Sequence, residues 1–174
     1  MKKFFKSLML ISVCLGLSAT VNAKTFRYAT TGDILGLDPH ANNEGPTNTM
    51  KGNIYGRMLH RKADLSLEPD LATKWEKLDA NTWRFSLRRG VKFHNGNDFN
   101  ADDVLFSYKR QTQEASDMSF ALATIKQINK VDDYTVDLIT KGPDPILLLN
   151  MPMFYIVDKE WIEANNAFEV VRAS

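Results

Sequence analysis

The sequence predicts an α+β fold of mostly antiparallel strands with two or three helices, and four stretches carry that prediction. Residues 82–88, TWRFSLR, alternate apolar and polar side chains, as a strand with one buried face does. Residues 123–131, ATIKQINKV, and 134–140, YTVDLIT, predict two further strands joined by a turn of two aspartates. Between these strands lies a helix-forming stretch whose predicted buried stripe consists of Val104, Leu105 and Tyr108.

The first 23 residues predict a cleavable signal peptide. MKKFFKS carries three lysines, LMLISVCLGLSA is apolar for a dozen residues, and VNA provides a cleavage site of the A-x-A type. The apolar run is shorter than the roughly 20 residues that a membrane span needs. A lipoprotein is disfavoured because Cys14 follows Val13 inside the apolar run rather than a small residue at its end. We therefore expect an exported, periplasmic protein that is cut after Ala23.

Composition excludes several classes of function. The 22 Lys and Arg nearly balance the 21 Asp and Glu, so no charge excess suggests a nucleic-acid or membrane-surface partner. The single cysteine lies in the predicted signal peptide, so the exported chain has no disulfide and no thiolate nucleophile or metal ligand. About 150 residues without a disulfide can form one domain around an ordinary core.

The sequence of the first half of the exported chain predicts four segments. Alternation at 26–30 predicts a short strand, and a long irregular segment rich in turn formers follows up to Pro46. Residues 48–61 predict a helix with Met50, Ile54, Met58 and Leu59 near one face, although two glycines weaken it. In the turn-bearing stretch 65–79, Leu71 and Trp75 are spaced for one face of a helix.

In the second half of the chain, the predicted ends of strands and starts of helices are clearer. Asn95-Gly96 predicts a turn after the alternating stretch VKF. Asn100, with Asp103 three residues later, predicts a helix N-terminus. Two prolines open a predicted helix through ILLLNMP, and residues 154–166 predict a strand-like start followed by a short helix around Trp161.

The dense polar stretch at 85–110 could be taken for an active site, with His94 as base, Asp102 or Asp103 as its orienting partner and Arg88 as an anion clamp. A structural interpretation is preferred, because His94 lies beside a turn and the acids suit a helix N-terminus. Ser86 lies in a strand pattern, outside a Gly-x-Ser-x-Gly context.

The three histidines, His40, His60 and His94, lack the spacing of a metal-ligand set. No phosphate-binding loop is present. The sequence thus predicts neither an enzyme nor a metal or cofactor site.

Residues 42–47, NNEGPT, combine amides, a carboxylate, hydroxyls and glycine in an irregular segment. Polar loops on a scaffold often hold small ligands. A solvated surface loop fits the composition equally well, so the residues alone leave both interpretations open.

The stretch at 66–110, SLEPDLATKWEKLDANTWRFSLRRGVKFHNGNDFNADDVLFSYKR, resembles the signature region of the extracytoplasmic solute-binding proteins of family 5. These are the peptide, dipeptide and nickel receptors of ABC importers. GLDPH at 36–40 and VDDYTVDLITKGPDPILLLN at 131–150 follow the same pattern, and the resemblance covers residues 24–161.

The resemblance implies part of the first lobe of a two-lobed periplasmic binding protein of the class II type, a clamp that closes on a ligand without chemistry. Residues 24–50 would begin the ligand-facing subdomain of that lobe, and residues 51–174 would form its accessory α+β subdomain. Since family members run to several hundred residues, we expect this chain to be a fragment that stops before the hinge and the second lobe.

By the same resemblance, the protein would be a monomer that captures short peptides and delivers them to an inner-membrane ABC permease. The ligand-binding residues implied are Asn43, Glu44, Gly45 and Pro46. Two alternatives stay open: a receptor for nickel, haem or another small solute of the same family, and a stand-alone exported protein-interaction module.

Overall fold

A computed structural model describes residue 29 and residues 32–172 of the chain. The predicted signal peptide with its cut after Ala23, and nearly all of the predicted strand at 26–30, lie outside the described residues. All elements below belong to the unit formed by residues 31–174. No helix of the described residues is long and apolar enough to cross a membrane.

The predicted α+β class is confirmed. The helices are α1 (Gly45–Ile54), α2 (Ala101–Gln111), α3 (Leu147–Asn150) and α4 (Lys159–Ala164). The strands are β1 (Leu59–Arg61), β2 (Leu67–Pro69), β3 (Ala72–Lys77), β4 (Thr82–Leu87), β5 (Ile125–Asp132) and β6 (Thr135–Thr140). Two 3₁₀ turns complete the description, Ser119–Leu122 and Met151–Met153.

Four of the strands form one antiparallel sheet in the order β3-β4-β6-β5, and β1 pairs with β2 in a separate hairpin. Phe85 at the centre of β4 lies opposite Trp75 on β3 and Val136 on β6. Because side chains alternate between the two faces of a strand, this register gathers apolar residues on one face, while Arg84 and Asp137 pair on the other. Helix α2 packs against β5 and α4.

In the core, this apolar face of the sheet packs against side chains from the helices and from the loops. Its largest fully buried apolar side chains are Phe85, Phe99, Phe154, Met58, Leu59, Met118, Leu122, Leu138, Leu147, Met151 and Ile156.

Helix α2 begins as predicted. The Asn100 side chain accepts a hydrogen bond from the Asp102 N–H at 2.7 Å, and the Asp103 carboxylate accepts one from the Asn100 N–H at 2.9 Å. This reciprocal capping box satisfies backbone donors that a helix N-terminus otherwise leaves free. The predicted turn at Asn95-Gly96 is also present, with Gly96 at a φ of +96°. Around that turn only the single bridge Lys92–Asp98 forms, rather than a continued strand.

The predicted helix at 48–61 is wrong at both ends. Helix α1 begins at Gly45, because Glu44 caps it and a proline fits its first turn, and it ends at Ile54. At Gly56 the chain passes so close to Leu71 that an added Cβ would lie 2.9 Å from the Leu71 Cδ1. Met58 and Leu59 are buried as predicted, but the latter from strand β1 rather than from the helix.

The helical spacing of Leu71 and Trp75 is also misleading. Residues 72–77 form strand β3, in which Trp75 pairs with Phe85. Pairing with a strong neighbouring strand outweighs a weak local helical pattern.

Candidate ligand-binding segment

The four residues implied as ligand-binding lie where the irregular segment enters helix α1. Asn43 is irregular, Glu44 is the helix N-cap, and Gly45 and Pro46 are the first residues of the helix. The expectation that all four belong to one irregular loop is therefore corrected: two of them are helical. The start of a helix presents backbone N–H groups without an intrahelical partner and the positive end of the helix dipole.

This part of the surface is open. Asn43 and Gly45 are exposed, and a Cβ added at Gly45 would meet no atom within 4 Å. The Asn43 side-chain oxygen accepts a hydrogen bond from the Asn48 amide at 2.7 Å. A ligand could thus approach the backbone at Gly45 without displacing a side chain.

Among the four implied residues, Glu44 has the strongest hydrogen-bond acceptor, its carboxylate. Its Oε1 accepts hydrogen bonds from the Thr47 N–H at 3.2 Å and from the Thr47 hydroxyl. Its Oε2 is buried and has no hydrogen-bond partner among the described residues. A buried carboxylate oxygen without a donor is unfavourable, and because it is closed off from the surface, a ligand N–H can reach it only when the Glu44 side chain turns outward.

Two buried polar side chains of α1 lie beneath this surface. Thr47 Oγ1 accepts a hydrogen bond from the Leu35 N–H at 3.0 Å, and Lys51 Nζ donates to the carbonyl of Asn42. Both side chains are fully buried.

A buried polar cluster anchors the chain just before the segment. Arg110 forms a two-pronged ion pair with Asp38, with Nη1–Oδ1 at 2.8 Å and Nη2–Oδ2 at 2.6 Å. Its Nη1 also lies 3.1 Å from Nδ1 of His40. Because a guanidinium only donates, Nδ1 accepts. The ring proton is then on Nε2, which donates to the carbonyl of Tyr155 at 3.0 Å.

The electrostatics of this cluster follow from burial. Burial lowers the pKa of His40 to about 4, and the positive charge of Arg110 acts in the same direction. For Asp38, burial alone would raise the pKa, but hydrogen bonds from Arg110 and the His40 N–H hold it below its usual value. The cluster therefore contains a neutral histidine beside a closed ion pair, which suits an anchor rather than a proton-transfer site.

The cluster connects several distant parts of the chain. Besides Asp38, Arg110 binds the carbonyl of Ala167 through Nε at 3.2 Å, and Ser116 donates to the carbonyl of His40 at 2.6 Å. The GLDPH motif at 36–40 thus fixes the chain just before residues 43–46 against α2 and against the residues that follow α4.

A cavity of about 490 Å³ lies beside this anchor and is lined mainly by apolar side chains. Its charged groups already have partners: Asp38 bonds Arg110, Lys92 bonds Asp98 at 2.7 Å, and Asp158 accepts from Asn95 at 2.6 Å. The cavity therefore offers apolar contact and little free charge. None of the four implied ligand residues lines it; its apolar walls include Val91, Phe93, Phe99, Ile156, Trp161 and Ile162.

The dense polar stretch at 85–110 has the structural roles that the sequence predicted. Asp103 caps α2, Asp102 pairs with Lys130 at 2.9 Å, and Arg88 Nε donates to the carbonyl of Asp70 at 2.9 Å. His94 is exposed at the edge of the cavity. Among the described residues, no group of three His, Cys, Asp or Glu side chains could hold a metal ion.

Sequence reasoning missed two features of the site. No pattern in the sequence indicates that Arg110 is buried, and the predicted buried side of α1 consists of apolar residues instead of Thr47 and Lys51. The only sequence signal for the second feature is the i, i+4 spacing of these two residues, which places them on one helix face.

The comparisons with known proteins agree on one family. Residues 66–171 match the family described as bacterial extracellular solute-binding proteins, family 5 Middle. The dipeptide-binding protein of Escherichia coli K12 is 32% identical, over 87% of this chain and 33% of the relative. Heme-binding protein A of Haemophilus influenzae is 33% identical, over 76% of this chain and 28% of the relative. The chain thus spans about a third of the length of these curated relatives.

Solved structures give the same architecture. The periplasmic binding protein DppA of Helicobacter pylori, in complex with the peptide STSA, superimposes with a TM-score of 0.67 at 29% identity. The superposition covers 79% of this chain and 32% of the other. OppA of Burkholderia pseudomallei, at 21% identity and a TM-score of 0.72, shares the fold.

Proposed function

The chain belongs to family 5 of the bacterial extracellular solute-binding proteins, and on that premise we propose that it captures short peptides in the periplasm for an inner-membrane ABC permease. The dipeptide-binding relative and the peptide complex of DppA support a peptide as the ligand. The single observation that carries the proposal is the segment Asn43–Pro46, which combines open backbone with the unpartnered acceptor Glu44 Oε2.

This geometry suits a peptide recognised through its backbone. With the Glu44 side chain turned outward, an N–H group of the ligand would donate to its Oε2, and the side chain of Asn43 would bond a ligand amide. Because these contacts use groups that every peptide has, the side chains of the ligand can vary. The contacts hold and orient a ligand, and no nucleophile or base is needed.

The proposed organisation follows the family pattern. Residues 1–23 direct export and are removed, residues 24–50 begin the ligand-facing subdomain, and residues 51–174 form the accessory subdomain. We propose that the receptor acts as a monomer, without a cofactor.

A second ligand class has support of its own. Heme-binding protein A shares 33% identity with this chain, so haem is the strongest alternative among small solutes. The two candidates differ in readout, because bound haem absorbs strongly in the visible range and a peptide does not.

Native mass spectrometry of the protein recovered from the periplasm of its own host distinguishes these ligands. We expect adducts with the masses of short peptides that disappear on mild denaturation. A haem adduct with a matching visible absorption band, and no peptide adducts, would replace the peptide proposal by the haem alternative. A species that carries neither would contradict both.

A further inference from the structure

Helix α1 turns a polar stripe, rather than an apolar one, toward the interior. Its two buried residues are Thr47 and Lys51, one helical turn apart and each 0% exposed. Met50 and Ile54, on which the sequence prediction of a buried face depended, are only half-buried. A helix normally buries its apolar side, so this arrangement needs a reason other than hydrophobic packing.

The stripe bonds the segment that precedes the helix at three separate points. Thr47 Oγ1 accepts from the Leu35 N–H at 3.0 Å and also donates to Glu44 Oε1, and Lys51 Nζ donates to the carbonyl of Asn42. Side chains of a helix lean toward its N-terminus, which brings Lys51 back under Asn42. The contacts enclose Asn43 on both sides, so its position depends on them.

Lys51 is costly for the stability of the fold. In the described part of the chain no carboxylate lies within ion-pair distance of its ammonium group, and burial lowers its pKa despite the charges of Glu44, Asp38 and Asp117. A buried charge without a paired counter-charge destabilises a protein, and an apolar side chain of similar length commonly does better. The Lys51 side chain therefore holds the chain at Asn42 in place and does not stabilise the core.

We propose that Thr47 and Lys51 are positioning residues that hold Asn42–Glu44 in the conformation that meets the ligand. This inference rests on the proposed function for its ligand, but its structural part does not. Without the stripe, the carbonyl of Asn42 would lose the Lys51 ammonium group and the carboxylate of Glu44 would lose the Thr47 hydroxyl, while the Thr47 N–H would still bond Glu44. The backbone on either side of Asn43 would then be held by fewer hydrogen bonds.

The first test replaces Lys51 by methionine, which keeps the length of the side chain and removes the charge. For Lys51→Met we expect hydrogen exchange at the amides of residues 43–45 and 47 to rise about tenfold, and peptide affinity to fall about tenfold. The midpoint of urea unfolding should stay the same or rise, because a lone buried charge is gone. Lys109→Met, at an exposed position of α2, is the matched control and should change none of the three.

The second test separates the hydroxyl of Thr47 from its shape. Thr47→Val should loosen the segment and weaken peptide binding as Lys51→Met does, whereas Thr47→Ser retains the hydroxyl and should restore both. Thr73→Val is the control, because the Thr73 hydroxyl is exposed on β3 and bonds the carbonyl of Ser86.

Each outcome is decisive. Unchanged exchange and affinity in Lys51→Met would overturn the inference. Loss of affinity with an equal loss of global stability would make Lys51 a structural residue only. If a two-lobed receptor that contains the unaltered chain binds no peptide, the proposed function fails, yet the exchange measurements still decide whether the stripe positions residues 42–44.

Discussion

Arg110 shows how one side chain can connect distant parts of a chain. Its guanidinium has 4% side-chain exposure and faces a carboxylate, an imidazole nitrogen and a backbone carbonyl. A buried cation is tolerable only when such partners replace water. The sequence showed the Asp-Pro-His motif and the arginine, but their contact spans 72 positions, and local patterns cannot reveal it.

We predict that Arg110→Lys destabilises the protein by about 3 kcal/mol, because lysine cannot form the two-pronged bond and leaves Asp38 partly unpaired. The free energy of unfolding in urea measures this loss. Arg84→Lys is a matched comparison, since Arg84 bonds Asp137 by two contacts of 2.8 Å on the open face of the sheet. Its effect should be much smaller, and equal losses at both sites would contradict the buried role of Arg110.

His40 makes stability depend on pH. The unfolded chain protonates this residue below about pH 6.5, whereas the pKa of about 4 in the fold keeps it neutral. The unfolded state thus binds more protons in this window, and the free energy of unfolding falls as the pH drops from 6.5 to 4, by about 3 kcal/mol in total.

Urea titrations at several pH values test this dependence against His40→Gln, which cannot titrate and should show a flatter profile between pH 6.5 and 4. Asp103, whose pKa burial raises, acts in the opposite direction near its own pKa and is present in both proteins. The difference between the two profiles therefore isolates His40, and identical slopes would refute the prediction.

At the scale of elements, prediction from sequence succeeded where the determining interactions are local. The cap formed by Asn100 and Asp103 uses residues three positions apart, and the alternation in β4 is visible within six residues. It failed where distant contacts decide. Strand β3 exists because β4 pairs with it, and the polar interior side of α1 exists because the preceding segment supplies its partners.

Two glycines around the end of α1 should respond to the same substitution with opposite signs. Gly52→Ala should stabilise the protein by about 0.5–1 kcal/mol, because Gly52 is helical and an added Cβ would meet only the Arg57 side chain at 3.5 Å. Gly56→Ala should destabilise it by about 1–3 kcal/mol, because the Cβ would lie 2.9 Å from the Leu71 Cδ1. Thermal unfolding of both variants checks the signs, and a stabilising Gly56→Ala would show that Leu71 moves aside freely.

At the scale of the whole molecule, the family and fold were predictable because they depend on many motifs in order. The ligand was not, since relatives of similar identity are named for dipeptides and for haem. The chain spans about a third of the length of these relatives. The described residues provide an anchored, open segment and an apolar cavity beside the anchor.

Calorimetric titration of a two-lobed receptor that contains this chain with a simple dipeptide, compared with its Glu44→Gln variant, tests the central claim most directly. We predict one binding site, with affinity about tenfold lower in Glu44→Gln because its carboxylate no longer accepts the ligand N–H with full charge. Glu114→Gln, at an exposed position, should bind as the unaltered protein does. No binding by the unaltered protein, or equal affinity in all three, would contradict the assignment of the Asn43–Pro46 segment as a peptide site.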